Sequence, residues 1–343
     1  DLMAKYGADG LRFGLMRIAP HGQDVRFDEN QIKEGRNFAN KLWNAARFRE
    51  MQGASASSKP LAEHKLSPYS VAVLVSFDAM HAAYRRALDD FHFHEAASLL
   101  YEFFWNTYCD WFVEASKAEL AAGGEGADGV RAVMDHVLSG YLRLLHPFMP
   151  HITEELWSRL GYAQGDGRAS MILFAEQPPA DSVPQLSAEE KARASNAVQA
   201  VYDAVRDVRV LRAEFKVSAN QECVAYLARD PAFQELDVSV FRSLAKASRV
   251  EELGASAPSR KMPHTPTPLG EVYLELEIDV AAERKRLEAE IAKVDEEIAK
   301  VRAKLSDESF VQGAPAQVLE TFKKRGEDWQ GKRAKLEAVL KSL

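Results

Sequence analysis

The stretch Arg36–Phe48, "RNFANKLWNAARF", contains neither Gly nor Pro and has good helix formers at Ala39, Lys41, Leu42, Ala45 and Ala46. At about 100° per residue, Phe38, Ala39, Leu42, Trp43, Ala45 and Ala46 fall on one arc, an ordinary buried face. Arg36, Asn37, Asn40, Lys41, Asn44 and Arg47 fall on the opposite arc, and Phe48 falls among them. A helix with one apolar face needs other helices to cover it, so this stretch predicts a bundle. Its polar arc is unusual: three Asn, three cations and an aromatic ring. The residues alone leave two readings open. One is a solvated or helix-packed face that happens to carry a ring. The other is contact with unpaired nucleotides, since Asn reads base edges, Arg and Lys meet phosphates and a ring stacks on a base.

Helices dominate on either side. The first 30 residues read as a helix over 2–18, a turn at "PHGQD" (20–24) and an extended "VRF" (25–27). Helices are predicted over 31–51, 68–89, 92–120, 129–146 and 151–161, with Pro150 suited to a first helical turn. A Ser/Ala-rich linker covers 53–67, and "GGEGADG" (123–129) reads as a Gly-rich loop. The linker 175–187 marks a boundary, after which a helix is predicted over 188–213. "ECVAYLA", "SRVEEL" and "EVYLELEI" then read as strands of a small α/β unit with one short helix. From residue 280, Leu287, Ile291, Val294, Ile298, Val301 and Leu305 keep a strict heptad spacing. Val318, Phe322, Trp329, Leu336, Val339 and Leu343 continue it in phase, with Arg325 and Lys332 at two polar seam positions. Two such runs around a loop with Gly313 and Pro315 make an antiparallel coiled-coil hairpin. The expected fold class is therefore mainly α, in four parts: 1–25, a helical bundle over 26–175, the α/β unit over 186–279 and the hairpin over 280–343.

Composition narrows the function. The chain has 343 residues and a net charge of −7, which argues against a wholly basic nucleic-acid binder. The charge is uneven. Residues 281–343 hold 14 Lys and Arg against 12 Asp and Glu, a net +2, leaving −9 for the rest. Cations gather toward the hairpin tip: Arg302 and Lys304 going out, Lys323, Lys324 and Arg325 coming back. A rigid arm with a basic end suits a phosphate backbone. The bland alternative is a helical scaffold that dimerises through the hairpin, but each run finds its partner within the chain. Cys109 and Cys223 stand far apart, without a CxxC motif, which rules against a disulfide framework or Cys-rich zinc site and suits a reducing cytoplasm. No apolar run spans a bilayer. The opening "DLMAKYGADG" is neither a signal peptide nor a natural start, which predicts a piece of a longer chain.

Catalytic-looking patterns do not survive inspection. Gly124, Gly126 and Gly129 match GxGxxG, but they follow a helix and not a strand. His92 and His94 lie two apart on a predicted helix and point different ways. "RKMPH" (260–264) falls in a Pro-rich loop. No nucleophile–base constellation has convincing spacing, and no metal site is expected.

A resemblance sharpens the picture. "KYGADGLRF" (5–13), "GQDVRFDE" (22–29) and "RNFANKLWNAARF" in succession resemble the segment that follows the catalytic domain of class I aminoacyl-tRNA synthetases. "FFWNTYCDWFVEASK" (103–117) and "LHPFMPHITEELW" (145–157) look like signatures of the valine, isoleucine and leucine branch. "ERKRLEAEI" leading to "KLSDESFVQGAPAQVLETFKKR" (304–325) is similar to the C-terminal arm of the valyl-tRNA synthetase family; the isoleucine family typically ends in a cysteine zinc module. Gly10 departs from the pattern, many relatives having Ala. The resemblance implies a parent ligase of the cytoplasm that joins valine to tRNA(Val) using ATP and Mg. Its HIGH and KMSKS signatures are absent from this sequence. The chain itself would then carry no chemistry and no cofactor, and would act as a monomeric tRNA-binding part. Residues 1–25 would end the stem-contact segment and the bundle would bind the anticodon. There Asn44, Arg47 and Phe48 would face the bases, with Asn40 and Lys41 beside them. The arm would touch the outer corner of the tRNA through Arg302, Lys324 and Arg325.

Overall fold

The computed structural model describes residues 2–19, 27–53, 59–163, 165, 167–218, 221–233, 237–253, 262–276, 280–307 and 316–342. The expected turn over 20–24 and most of "VRF" lie outside these. Two compact units divide the chain, residues 1–199 and 200–343.

In the first unit the expected helix over 2–18 is two, α1 (Leu2–Tyr6) and α2 (Ala8–Arg17), separated by Gly7 at φ +78°. Next comes α3 (Glu29–Met51), whose N-cap Asp28 accepts a hydrogen bond from Asn30 N. α2 and α3 meet backbone to backbone. A Cβ on Gly35 would stand 2.2 Å from Gly10 O, and one on Gly14 would stand 2.7 Å from Gln31 O. These glycines set how closely α3 lies on the fold. Helix α4 (Pro68–Asp89) has Ser67 as cap and Pro68 in its first turn.

The predicted helix over 92–120 is continuous but not uniform. It runs as α5 (Phe93–Glu102), a π-helical segment Phe103–Val113 and α6 (Glu114–Ala122). Its rings form much of the core: Phe104 stacks on Tyr108 and on Tyr141, at centroid distances of 5.3 and 4.6 Å. Helix α7 (Gly124–Leu145) begins five residues earlier than expected, so the Gly-rich "loop" is mostly its first turns. The GxGxxG glycines therefore open a helix that follows a helix. Gly129 is there for packing, since a Cβ would stand 2.2 Å from Lys65 O. Helix α8 (Pro150–Arg159) has no cap of its own. Asp9 of α2 supplies one, accepting from His151 N at 3.3 Å and Ile152 N at 2.7 Å. Arg12 donates to the carbonyls of Pro147 and Phe148. Two of the signature stretches, 5–13 and 145–157, are thus fastened to each other.

Helix α9 (Ala188–Glu214) runs through the boundary between the units. The second unit adds β1 (Cys223–Arg229), α10 (Ser239–Leu244), β2 (Ala247–Leu253), β3 (His264–Thr267) and β4 (Gly270–Glu275). Sheet order is β2-β1-β4-β3, with β1 parallel to β2 and antiparallel to β4. Strand β3 was not foreseen; it places His264, read as loop, against Tyr273. Four residues with a proline hide a strand from pattern reading, and an edge position is where a strand tolerates Pro266. Arg212, 4% exposed, holds this unit together by donating to the carbonyls of Ser218, Gln221 and Ala245.

The hairpin consists of α11 (Val280–Ser306) and α12 (Ala316–Ser342). Leu287, Val294, Ile298, Val301 and Val339 are buried along the expected seam. Ion pairs Glu297–Arg325, Glu290–Lys332 and Asp295–Arg333 join the helices at 3.3, 3.8 and 2.6 Å. From Glu297–Arg325 to Glu290–Lys332 the partners move seven residues in opposite directions along the two helices, as antiparallel packing requires. Both polar seam positions, 325 and 332, find carboxylates on the facing helix.

Candidate nucleic-acid interface

α3 presents the face its sequence predicts. Phe38 and Leu42 are fully buried, while Arg36, Asn37, Asn40, Asn44 and Arg47 are exposed. Asn40, Asn44 and Arg47 enter none of the side-chain hydrogen bonds or ion pairs among the described residues. Their polar groups are free for an incoming ligand. Arg49, two residues past Arg47 and so turned to the other side of the helix, is buried instead. It pairs with Asp135 of α7 at 2.6 Å and donates to Gly53 O, while Tyr162 donates to the other Asp135 oxygen at 2.7 Å. Burial and this carboxylate raise the Tyr162 phenol well above its usual range. The cluster fixes the C-terminal end of α3, next to Phe48.

Two of the predicted residues are placed differently from a free polar arc. Phe48 is half-buried, its ring packed on the core and Lys117 of α6 lying 6.0 Å from its centroid. Lys41 is engaged: its ammonium is 2.6 Å from Asp110 Oδ1 and 4.8 Å from the Trp105 ring centroid. Trp105 stacks on Tyr101 at 5.4 Å, and Arg17 covers Tyr101 at 3.9 Å. Sequence reasoning missed Trp105, Asp110 and Lys117 as neighbours of the interface. On an α-helix residues 105 and 110 point about 140° apart. In a π-helix, with its i→i+5 bonds, they lie on successive turns of one face. The signal was available only as an aromatic-rich stretch already noted for its resemblance.

On the arm, Arg302 and Lys324 are exposed and unengaged among the described residues, whereas Arg325 is drawn to Glu297. Arg302 lies about 6 Å along α11 from its end at Ser306, and Lys324 about 12 Å into α12 from Ala316.

Elsewhere the fold assembles a trio that mimics a catalytic one. His136 Nε2 lies 2.9 Å from Ser182 Oγ, which donates to Asp78 Oδ1 at 2.5 Å. The serine sits between the other two and gives its only proton to the carboxylate. Burial lowers the imidazole to about 4, so it stays neutral and holds the 175–187 linker to the bundle. Its folded pKa lies below the unfolded value near 6.5, so below pH 6.5 the unfolded chain takes up a proton that the folded chain refuses. Stability from this group is whole above pH 6.5 and is lost as pH falls toward 4, by an amount of order 3 kcal/mol. Buried His81 and partly buried His146, both lowered by desolvation, act in the same direction; Asp78, raised by burial, partly opposes them. Urea unfolding at pH 7 and pH 5 should give a clearly lower midpoint at pH 5, and His136→Gln should narrow the difference. Equal midpoints would contradict it. Both cysteines are buried free thiols, and burial pushes Cys109 up to about 12. Among the described residues no group of His, Cys, Asp and Glu could hold a metal ion.

Comparison with known proteins fits this geometry. The profile of the anticodon-binding domain of tRNA ligase matches residues 72–227, and that of the valyl tRNA synthetase tRNA binding arm matches residues 279–343. Helix α3 lies ahead of the first match. Bundle and arm together define the class: the C-terminal region of an aminoacyl-tRNA synthetase. The valine–tRNA ligase of Laribacter hongkongensis is 34% identical over 346 residues, spanning 98% of this chain and 36% of that protein. That of Xanthomonas campestris is 35% identical over 342 residues, and that of Thermotoga maritima 31% over 345. Within its class the chain belongs to the valine–tRNA ligases. It spans little more than a third of the length of these relatives, 35–38%.

Proposed function

We propose that this chain is the tRNA-recognising part of a cytoplasmic ligase that attaches valine to tRNA(Val) with ATP and Mg. The observation that carries the reading is the free strip Asn40, Asn44 and Arg47 beside the Phe48 ring. Unpaired anticodon bases offer what these groups need: edges that donate and accept for Asn44, phosphate or base acceptors for Arg47 and a π-face for Phe48. Asn40 and Lys41 extend the strip toward the neighbouring nucleotide. The arm meets the outer corner of the tRNA through Arg302, Lys324 and Arg325, contributing affinity through phosphates. Its seam is filled from within the chain, which supports a monomer. No helix among the described residues is long and apolar enough to cross a membrane.

Because Phe48 packs on the core, Phe48→Ala mixes lost stacking with lost packing. Phe48→Leu keeps the apolar contact and removes the ring. In the full-length ligase it should raise KM for tRNA(Val) by about 5- to 150-fold, the worth of one stacked base. ATP-dependent valine activation should not change. A KM within twofold of wild type would remove Phe48 from the interface.

A further inference from the structure

The two rings bordering the polar face of α3 share one arrangement. Each has a lysine beside it, and each lysine is held by a carboxylate of the π–α6 stretch. Lys41 lies 4.8 Å from the Trp105 centroid and 2.6 Å from Asp110. Lys117 lies 6.0 Å from the Phe48 centroid and 2.7 Å from Glu114. Lys41, Asn44 and Phe48 are spaced by three and four residues, so they form one ridge along α3. Trp105 lies across that ridge, beside Lys41. From Lys41 to Phe48 the ridge advances about 10 Å.

We propose that Trp105 is a second base-stacking platform, and that the Lys41–Asp110 pair covers it in the free protein. The inference rests on the reading of α3 as a tRNA interface and extends it to an element that carries none of the residues assigned there. The Trp105 ring is backed by Tyr101, 5.4 Å away and nearly parallel at 22°, and Tyr101 in turn by Arg17. A ring held this way is a rigid surface, and the Lys41 ammonium lies over it. A cation over a ring is held loosely, by about 0.5–1 kcal/mol at exposed sites, and an exposed ion pair by a similar amount. Asp110 is half-exposed, so neither contact is a deep trap. Arriving RNA offers both partners at once: a base for the indole face and a phosphate for the lysine. Lys41 then exchanges Asp110 for phosphate, and an unpaired base takes its place on Trp105. The ligand is a nucleotide adjacent to the one at Phe48 in an extended loop.

The test uses the 343-residue chain and a fluorescently labelled anticodon stem–loop RNA with a valine anticodon, titrated across a salt series. Trp105→Leu should weaken binding by about 5- to 150-fold, the range for one stacked base, and Trp105→Phe should stay within about threefold of wild type. Asp110→Asn removes the partner that Lys41 must leave on binding, so it should tighten binding while the salt slope stays as in wild type, the same phosphate being met in both. If Trp105→Leu binds as wild type, or Asp110→Asn leaves the affinity unchanged, the second platform does not exist. Asp110 is exposed, so its variant decides the matter even if Trp105→Leu proves unstable. Phe48→Leu in the same series separates the two readings. Weakened binding there with no change at Trp105 overturns this inference alone; no change at Phe48 overturns the α3 interface.

Discussion

Asp135→Ala should destabilise the first unit by about 3–5 kcal/mol, because it leaves the buried Arg49 guanidinium without its counter-charge. The pair is 4% and 10% exposed at its side chains, and Tyr162 loses its acceptor in the same step. For a unit of this size that corresponds to a fall in melting temperature of roughly 10 °C. The partner left behind is the cost, not the pair itself, so the double variant Arg49→Met/Asp135→Leu should recover most of the loss. Urea unfolding of the wild type and the two variants checks it. A loss under 1 kcal/mol for Asp135→Ala would mean that Arg49 is not confined as described. Because Arg49 follows Phe48 directly, the single variant should also blunt RNA binding, through a loosened end of α3.

Reversing the charge of Arg302, Lys324 and Arg325 together should weaken tRNA binding by roughly a hundredfold at 0.15 M salt, if each meets one duplex phosphate. The slope of log affinity against log salt should flatten by up to about 2.7, or 0.9 per contact. Arg325 must first leave Glu297, so its share is the smallest and the full value is an upper bound. The outer corner is common to most tRNAs, so cognate and non-cognate tRNA should suffer alike. Binding of two tRNAs across a salt series checks this. A lost preference between tRNAs with an unchanged slope would contradict an arm that works through phosphates.

The hairpin was legible in the sequence because a heptad repeat states both the helix and its partner's face; even the polar positions 325 and 332 found acceptors. The polar arc of α3 was legible for the same reason, period. What periodicity could not supply was the change of period itself. Residues 103–113 contain no Gly or Pro to announce a π-helix, and so the convergence of Trp105 and Asp110 on Lys41 was invisible. Nor can a wheel tell whether a ring on the polar side leans back onto the core, as Phe48 does. The Gly-rich start of α7 misled because glycine disfavours helix interiors; here Gly129 is required by the close approach of Lys65 O. The cap that Asp9 gives α8 joins residues 142 positions apart, beyond any local signal.

The central claim is that the α3 strip reads anticodon bases. The most direct measurement compares binding of the 343-residue chain to a tRNA(Val) transcript and to the same transcript with an altered anticodon, before and after Asn44→Ala and Arg47→Ala. The account predicts that the unaltered chain prefers the valine anticodon, and that losing either side chain reduces this preference by about 5- to 150-fold, the worth of one base contact. A preference that survives both substitutions unchanged would contradict it.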